Sequence, residues 1–122
     1  MRSWKPYFVE NSKLPVWLSH LAPIEIGAIT LGPVVISRSE MSEITKNHET
    51  IHFQHYLETL FIGFLFIYLY DYIRGLIVHQ DGRAAYFSLR AEKEAYTMHE
   101  NLDYCKVRTR WKWLTRDAFG ED

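Results

Sequence analysis

The stretch Asn47-His48-Glu49-Thr50-Ile51-His52 contains the pattern H-E-x-x-H, and reading it as a helix sets what the rest of the chain must supply. Residues four apart on a helix stack on one face. His48 and His52 can therefore offer two imidazole nitrogens to one metal ion, while Glu49 lies about 100° round the axis. Zinc chemistry uses that arrangement: two neutral nitrogen ligands, a third protein ligand from another element, and a water in the fourth position. A carboxylate beside the water takes its proton, and the metal lowers the water's pKa to about 7. The competing reading is a helix with ordinary half-buried histidines.

The chain has 122 residues, which makes one domain with a modest core. Its single cysteine, Cys105, excludes an internal disulfide framework and fits a reducing compartment. A net charge of −1 gives no general argument for nucleic-acid binding, and none is expected. The first residues (Met1-Arg2-Ser3-Trp4-Lys5-Pro6) carry no apolar h-region, so no signal peptide is expected and the expected setting is cytoplasmic.

Residues 1–23 hold Trp4, Pro6, Tyr7, Phe8, Pro15, Trp17 and Pro23. Prolines at that density prevent a long helix, so the expectation is an irregular arm with one short turn over residues 16–21. Ile24, Ile26 and Ala28 alternate with Glu25, Gly27 and Ile29, and Gly32-Pro33 breaks the run before Val34-Val35-Ile36. This reads as a β-hairpin. Either it merely covers the metal helix, or the strand at Val34–Ile36 pairs its edge with an extended substrate.

Ser37-Arg38-Ser39-Glu40 has capping-box spacing, with Ser39 as competing N-cap. From there Met41, Ile44, His48, Ile51, His52 and His55 share one face. His55 lies seven residues past His48, about 10 Å along the axis, so it cannot join both motif histidines on one ion. Residues 60–70 (LFIGFLFIYLY) form an apolar run closed by Asp71. A bilayer span needs about 20 such residues, so a buried core helix is expected and peripheral membrane contact stays open. Gly75 and His79-Gln80-Asp81-Gly82 mark a loop, and Ser88 caps a helix through Glu92, Ala95, Tyr96 and His99. Lys106, Arg108, Arg110, Lys112 and Arg116 alternate with Val107, Trp111 and Trp113 and read as a solvated face.

Two histidines alone hold zinc weakly, so a carboxylate must come from a second element. Glu92 and Glu94 are about 200° apart on a helix, so only one can point inward. Glu92 shares a face with Tyr96 and His99, which favours it over Glu94. A straight helix from His52 to Arg74 would run about 33 Å, and a helical return from Gly75 to Glu92 covers only about 25 Å. Either the helix bends near Gly63 or part of residues 76–88 is extended; the loop signals favour the latter.

The pattern H-E-x-x-H followed in a later helix by E-x-x-A resembles the gluzincin clan of zinc metallopeptidases. By that resemblance Glu92 is the third ligand, Ala95 the packing residue, and Tyr96 stands where those families carry Asp or Asn. More closely, N-H-E-T-I-H-F-Q-x-Y-L-E followed by E-K-E-A-Y and L-D-Y resembles short uncharacterised H-E-x-x-H proteins of phage and bacterial genomes, over roughly residues 15–114, with His55 where Gln is expected. Together with the residues themselves, the resemblance implies a small, mainly helical α+β domain. It would be zincin-like, with an H-E-x-x-H helix, a second ligand-bearing helix and a short hairpin. The enzymatic expectation is a zinc metallopeptidase acting on a peptide or protein. His48, His52 and Glu92 would bind Zn2+, Glu49 would act as general base, and Tyr96 or His99 would donate to the oxyanion. The alternative is a non-catalytic protein that keeps the zinc or the fold to dock on a membrane surface or protein partner. Glu49 separates the two, since docking has no use for that carboxylate. Oligomeric state is not readable.

Overall fold

The computed structural model describes residues 4–15, 27–115 and 118–119. The fold is α+β and mainly helical. In chain order it contains β1 (Tyr7–Val9), β2 (Ala28–Leu31), β3 (Val34–Ser37), α1 (Glu43–Glu58), α2 (Ile62–His79), α3 (Gly82–Ser88), α4 (Arg90–Met98), α5 (Tyr104–Val107) and a 3-10 turn (Lys112–Leu114). The expected turn over residues 16–21, Trp17, Ile24, Ile26 and Arg116 lie outside the described residues.

β2 and β3 form the expected antiparallel hairpin, with Thr30 opposite Val35. Gly32 turns the chain at φ +61°, a conformation that suits glycine. The arm is not irregular throughout. Tyr7–Val9 is β-prone and pairs in parallel with β3, Tyr7 opposite Val34. The order β1-β3-β2 puts β3 in the middle. Val34–Ile36 therefore has both edges taken and cannot pair with a substrate; the edge strand against α1 is β2.

α1 begins later than the capping-box spacing suggests. Its N-cap is Ser42, whose hydroxyl accepts from the Thr45 N–H at 3.1 Å. Ser37 instead ends β3 and donates to the Ser39 carbonyl at 2.6 Å. Every residue from Asn47 to Tyr56 is buried, polar ones included. The chain then reverses at Leu60 and Phe61, which lie at φ 56° and 64°. Two successive non-glycine residues in the left-handed region are costly. The Phe61 N–H bonds to the Tyr56 carbonyl at 2.7 Å, and its ring packs over Gly32, which offset that cost. This break removes the need for extended chain at 76–88. That segment is helical: α2 runs through Gly75 to His79, and Asp81 caps α3.

The apolar run is not a core helix. Of α2 only Phe64, Asp71 and Gly75 are buried. The described part of the arm, through Tyr7–Val9, joins the sheet, and α3 packs on one side of this helix. Gly75 is where they meet: a Cβ there would stand 2.7 Å from Ser88 Oγ and 2.8 Å from Ala85 Cα. Ser88 is not an N-cap but the last residue of α3, donating to the Ala85 carbonyl at 2.8 Å. The start of α4 is held by Asp71, which accepts from the Arg90 N–H at 3.2 Å and from Arg90 Nε at 2.8 Å. A carboxylate at a helix N-terminus satisfies an orphan donor and complements the dipole.

Arg108 does not belong to a solvated face either. It is 1% exposed and donates to Glu94 Oε1 at 2.7 Å, Glu58 Oε2 at 2.7 Å and Gln54 Oε1 at 3.0 Å. One guanidinium thus ties the segment after α5 to both α1 and α4. Burial disfavours its charge, but Glu94 and Glu58 outweigh that and hold it firmly protonated.

Arg108→Ala should cost about 3–5 kcal/mol, because two buried carboxylates lose their partner, whereas exposed Lys106→Ala should stay within about 0.5 kcal/mol. Gly75→Val should cost at least about 1–3 kcal/mol by forcing α2 and α3 apart. Urea unfolding midpoints check all three.

Candidate metal centre

The metal-binding candidates meet where α1 faces α4. Both helices approach closely because Ala91 and Ala95, on the contact side of α4, are buried and small. Glu92 Oε1 lies 3.2 Å from His48 Nε2 and 2.9 Å from His52 Nε2. The ligand atoms of the three residues all fall within 4.8 Å of one another, and all three residues are buried. Ligands about 2.0–2.1 Å from a tetrahedral zinc are about 3.3 Å apart, so the spacing fits such an ion. Glu94 turns the other way, to His55, Tyr104 and Arg108.

The second nitrogen of each motif histidine is also engaged. His48 Nδ1 lies 2.9 Å from His99 Nδ1, and His52 Nδ1 lies 3.3 Å from His55 Nδ1. His55 Nε2 sits 2.6 Å from Glu94 Oε1. Burial depresses the His55 pKa to about 3 despite Glu94, so its ring is neutral and carries one proton. The carboxylate can only accept, which places that proton on Nε2 and leaves Nδ1 as an acceptor. His52 must then donate from its Nδ1, which leaves Nε2 as the nitrogen that faces the site; there it donates to Glu92, which raises the His52 pKa against the effect of burial, and this is the proton a metal would displace. The chain Arg108–Glu94–His55 therefore fixes the His52 ring with Nδ1 as a donor and Nε2 turned to the site, the orientation a metal would require. Burial alone would raise the Glu92 pKa, but His52 and His48 beside it hold it well below the carboxylate range.

Glu49 takes no part in this trio. Its Oε2 accepts from the Thr30 hydroxyl at 2.6 Å, and Tyr56 donates to the Thr30 carbonyl at 2.9 Å, so edge strand β2 fixes its orientation. Asn47 donates to the carbonyls of His99 at 2.7 Å and Asn101 at 2.9 Å, which anchors the end of α4 to the motif.

Glu49, His48, His52 and Glu92 line one cavity of about 730 Å³ together with Tyr68, Tyr86, Tyr96 and His99. Tyr96 meets the His48 ring edge-on, centroids 4.5 Å apart, and its hydroxyl lies 3.0 Å from that of Tyr86. One phenolic proton serves that bond, and the other is left for an oxygen in the cavity. His99, named with Tyr96 as a candidate oxyanion donor, has its Nδ1 committed to His48.

Sequence reasoning missed Tyr68, which donates to Glu92 Oε2 at 2.9 Å from within the apolar run. Its signal was present. Phe64, Tyr68, Asp71, Tyr72 and Gly75 follow a three-and-four spacing that marks the inward stripe of a helix whose outer side is apolar. Thr30 had no comparable signal, because its role depends on the register of β2 against α1.

Comparison with protein-family models, with curated proteins and with solved structures finds no match.

His55→Ala should weaken zinc affinity roughly 10–100-fold by releasing the His52 ring. His55→Gln, which can accept from His52 and donate to Glu94, should recover most of it. Chelator competition measures both.

Proposed function

We propose that this chain is a zinc metallopeptidase of gluzincin type, a zincin-like domain in which His48, His52 and Glu92 hold the metal. The observation that carries the reading is the convergence of the Glu92 carboxylate on both Nε2 atoms, beside a carboxylate, Glu49, that lines the same cavity without joining the trio. When bound, zinc would polarise the scissile carbonyl and acidify a water. Glu49, oriented by Thr30, takes the water's proton and returns it to the leaving amine. The Tyr86–Tyr96 pair offers a hydroxyl proton to the carbonyl oxygen as charge develops there. β2, an edge strand that also lines the cavity, gives an extended peptide a wall to lie along.

The second reading, a non-catalytic docking protein, is favoured by the exposed apolar side of α2. It has no use for Glu49, a carboxylate buried and held by a strand hydroxyl. The peptidase reading accounts for both features, since docking and cleavage are compatible.

Protein supplied with zinc should carry about one ion per chain by elemental analysis, given one three-ligand cluster among the described residues. His48→Ala, His52→Ala and Glu92→Ala should each lose it. Glu49→Gln should keep the metal and lower cleavage of short or unfolded peptides by roughly 10²–10⁴-fold. A mixed peptide library read by mass spectrometry is the assay. Absence of zinc from the wild type overturns the metal site, and equal products from wild type and Glu49→Gln overturn the catalytic role.

A further inference from the structure

α2 is the 18-residue helix Ile62–His79, apolar and long enough to cross a membrane by composition, yet only 17% of it is buried. From Leu60 to Val78 the exposed residues are all Leu, Ile, Val, Phe or Tyr. Ile62, Leu65, Phe66, Leu69, Ile73 and Ile77 recur at steps of three and four and make one continuous stripe. At 100° per residue the exposed side between Leu65 and Tyr70 spans about 140°. The patch is on the order of 1,000 Å², well above the roughly 300–600 Å² of the largest patch on a typical monomer.

Neither formal charge of the helix is among its exposed residues. Asp71 is 3% exposed and bonded to Arg90, and Arg74 is half-buried with a partner of its own. The stripe ends in polar residues, Glu58 and Thr59 before it and His79, Gln80 and Asp81 after it. We propose that this side of α2 seats in the surface of a lipid bilayer, with the helix axis in the membrane plane.

Three observations select lipid in that orientation. The stripe is broader than a helix-pairing seam and holds no Asn, Ser, Ala or Gly to set register or allow close approach; Gly75 faces α3, where α3 fills the space a side chain would need. Lipid asks for no register. Crossing the bilayer is ruled out by what α2 carries on its other side. It would take the Asp71–Arg90 pair, the Glu92 carboxylate bonded to Tyr68, and α3 with Arg83 into hydrocarbon. Lying flat, the helix buries only its apolar side and leaves those groups in the protein.

The inference does not rest on the peptidase reading, and Glu49→Gln should bind membranes as the wild type does. The experiment is co-sedimentation of the full chain with phosphatidylcholine vesicles, with and without phosphatidylserine. Both vesicle types should bind the protein, and high salt should not release it. Phe66→Ser combined with Ile73→Ser should lower the bound fraction at least tenfold while zinc content and helix content stay unchanged, as both side chains are exposed. In a Cys105→Ala background, fluorophores on single cysteines at Leu65, Leu69, Ile73 and Ile77 should report the same shallow depth by lipid quenching. A protein that stays in the supernatant overturns the proposal, as does binding that needs phosphatidylserine and reverses with salt. So does a solution dimer that hides this stripe and ignores vesicles. A depth that peaks at mid-helix overturns the in-plane orientation in favour of a span.

Discussion

The fold depends on a buried guanidinium. Arg108 is surrounded by Glu94, Glu58 and Gln54, from two helices that no short loop connects. Two carboxylates buried together would repel each other and lose hydration; one fork-shaped cation that reaches both removes the repulsion and supplies directional bonds. Burial opposes ionisation of Glu94, yet the His55 and Arg108 hydrogen bonds lower its pKa to about 2. Glu94 is thus available as the fixed acceptor from which the tautomer of His55, and then the orientation of His52, follows.

The same arrangement divides the labour of α4. Glu92 and Glu94, two residues apart, face opposite sides: one meets the histidines of the motif, the other the supporting network. Ala91 and Ala95 leave the space that allows both. Tyr68 reaches the free oxygen of Glu92 from α2, so three helices fix one carboxylate. A carboxylate held on both oxygens would lose little freedom on taking up an ion.

The parts legible in the sequence were those set by local spacing. H-E-x-x-H stacks His48 over His52 on any helix, Gly32-Pro33 can only be a turn, and Glu92 and Glu94 cannot share a face. What escaped was decided by distant partners. Arg108 sits among Lys106, Arg110 and Lys112 and looks like one more solvated cation until Glu58 and Glu94 are folded against it. Ser37, Ser39 and Ser88 are all plausible caps; Ser42, through its local bond to Thr45, caps α1 instead, and the distant Asp71 holds the start of α4. Gly75 reads as a loop, but its missing side chain serves close packing of two helices. The apolar run reads as core because length is local, whereas its exposure depends on which distant elements pack on it.

The helix that carries the motif has a consequence for how the molecule is made. Its buried polar side chains find their partners far along the chain: His48 with Glu92 across 44 residues, Glu58 with Arg108 across 50, Gln54 with Arg108 across 54. During synthesis α1 emerges before these groups exist, with only the sheet, through Thr30, already made for it to pack on. Contacts of such long range form late and slow the search. The centre therefore cannot close until the segment through Arg108 has been made.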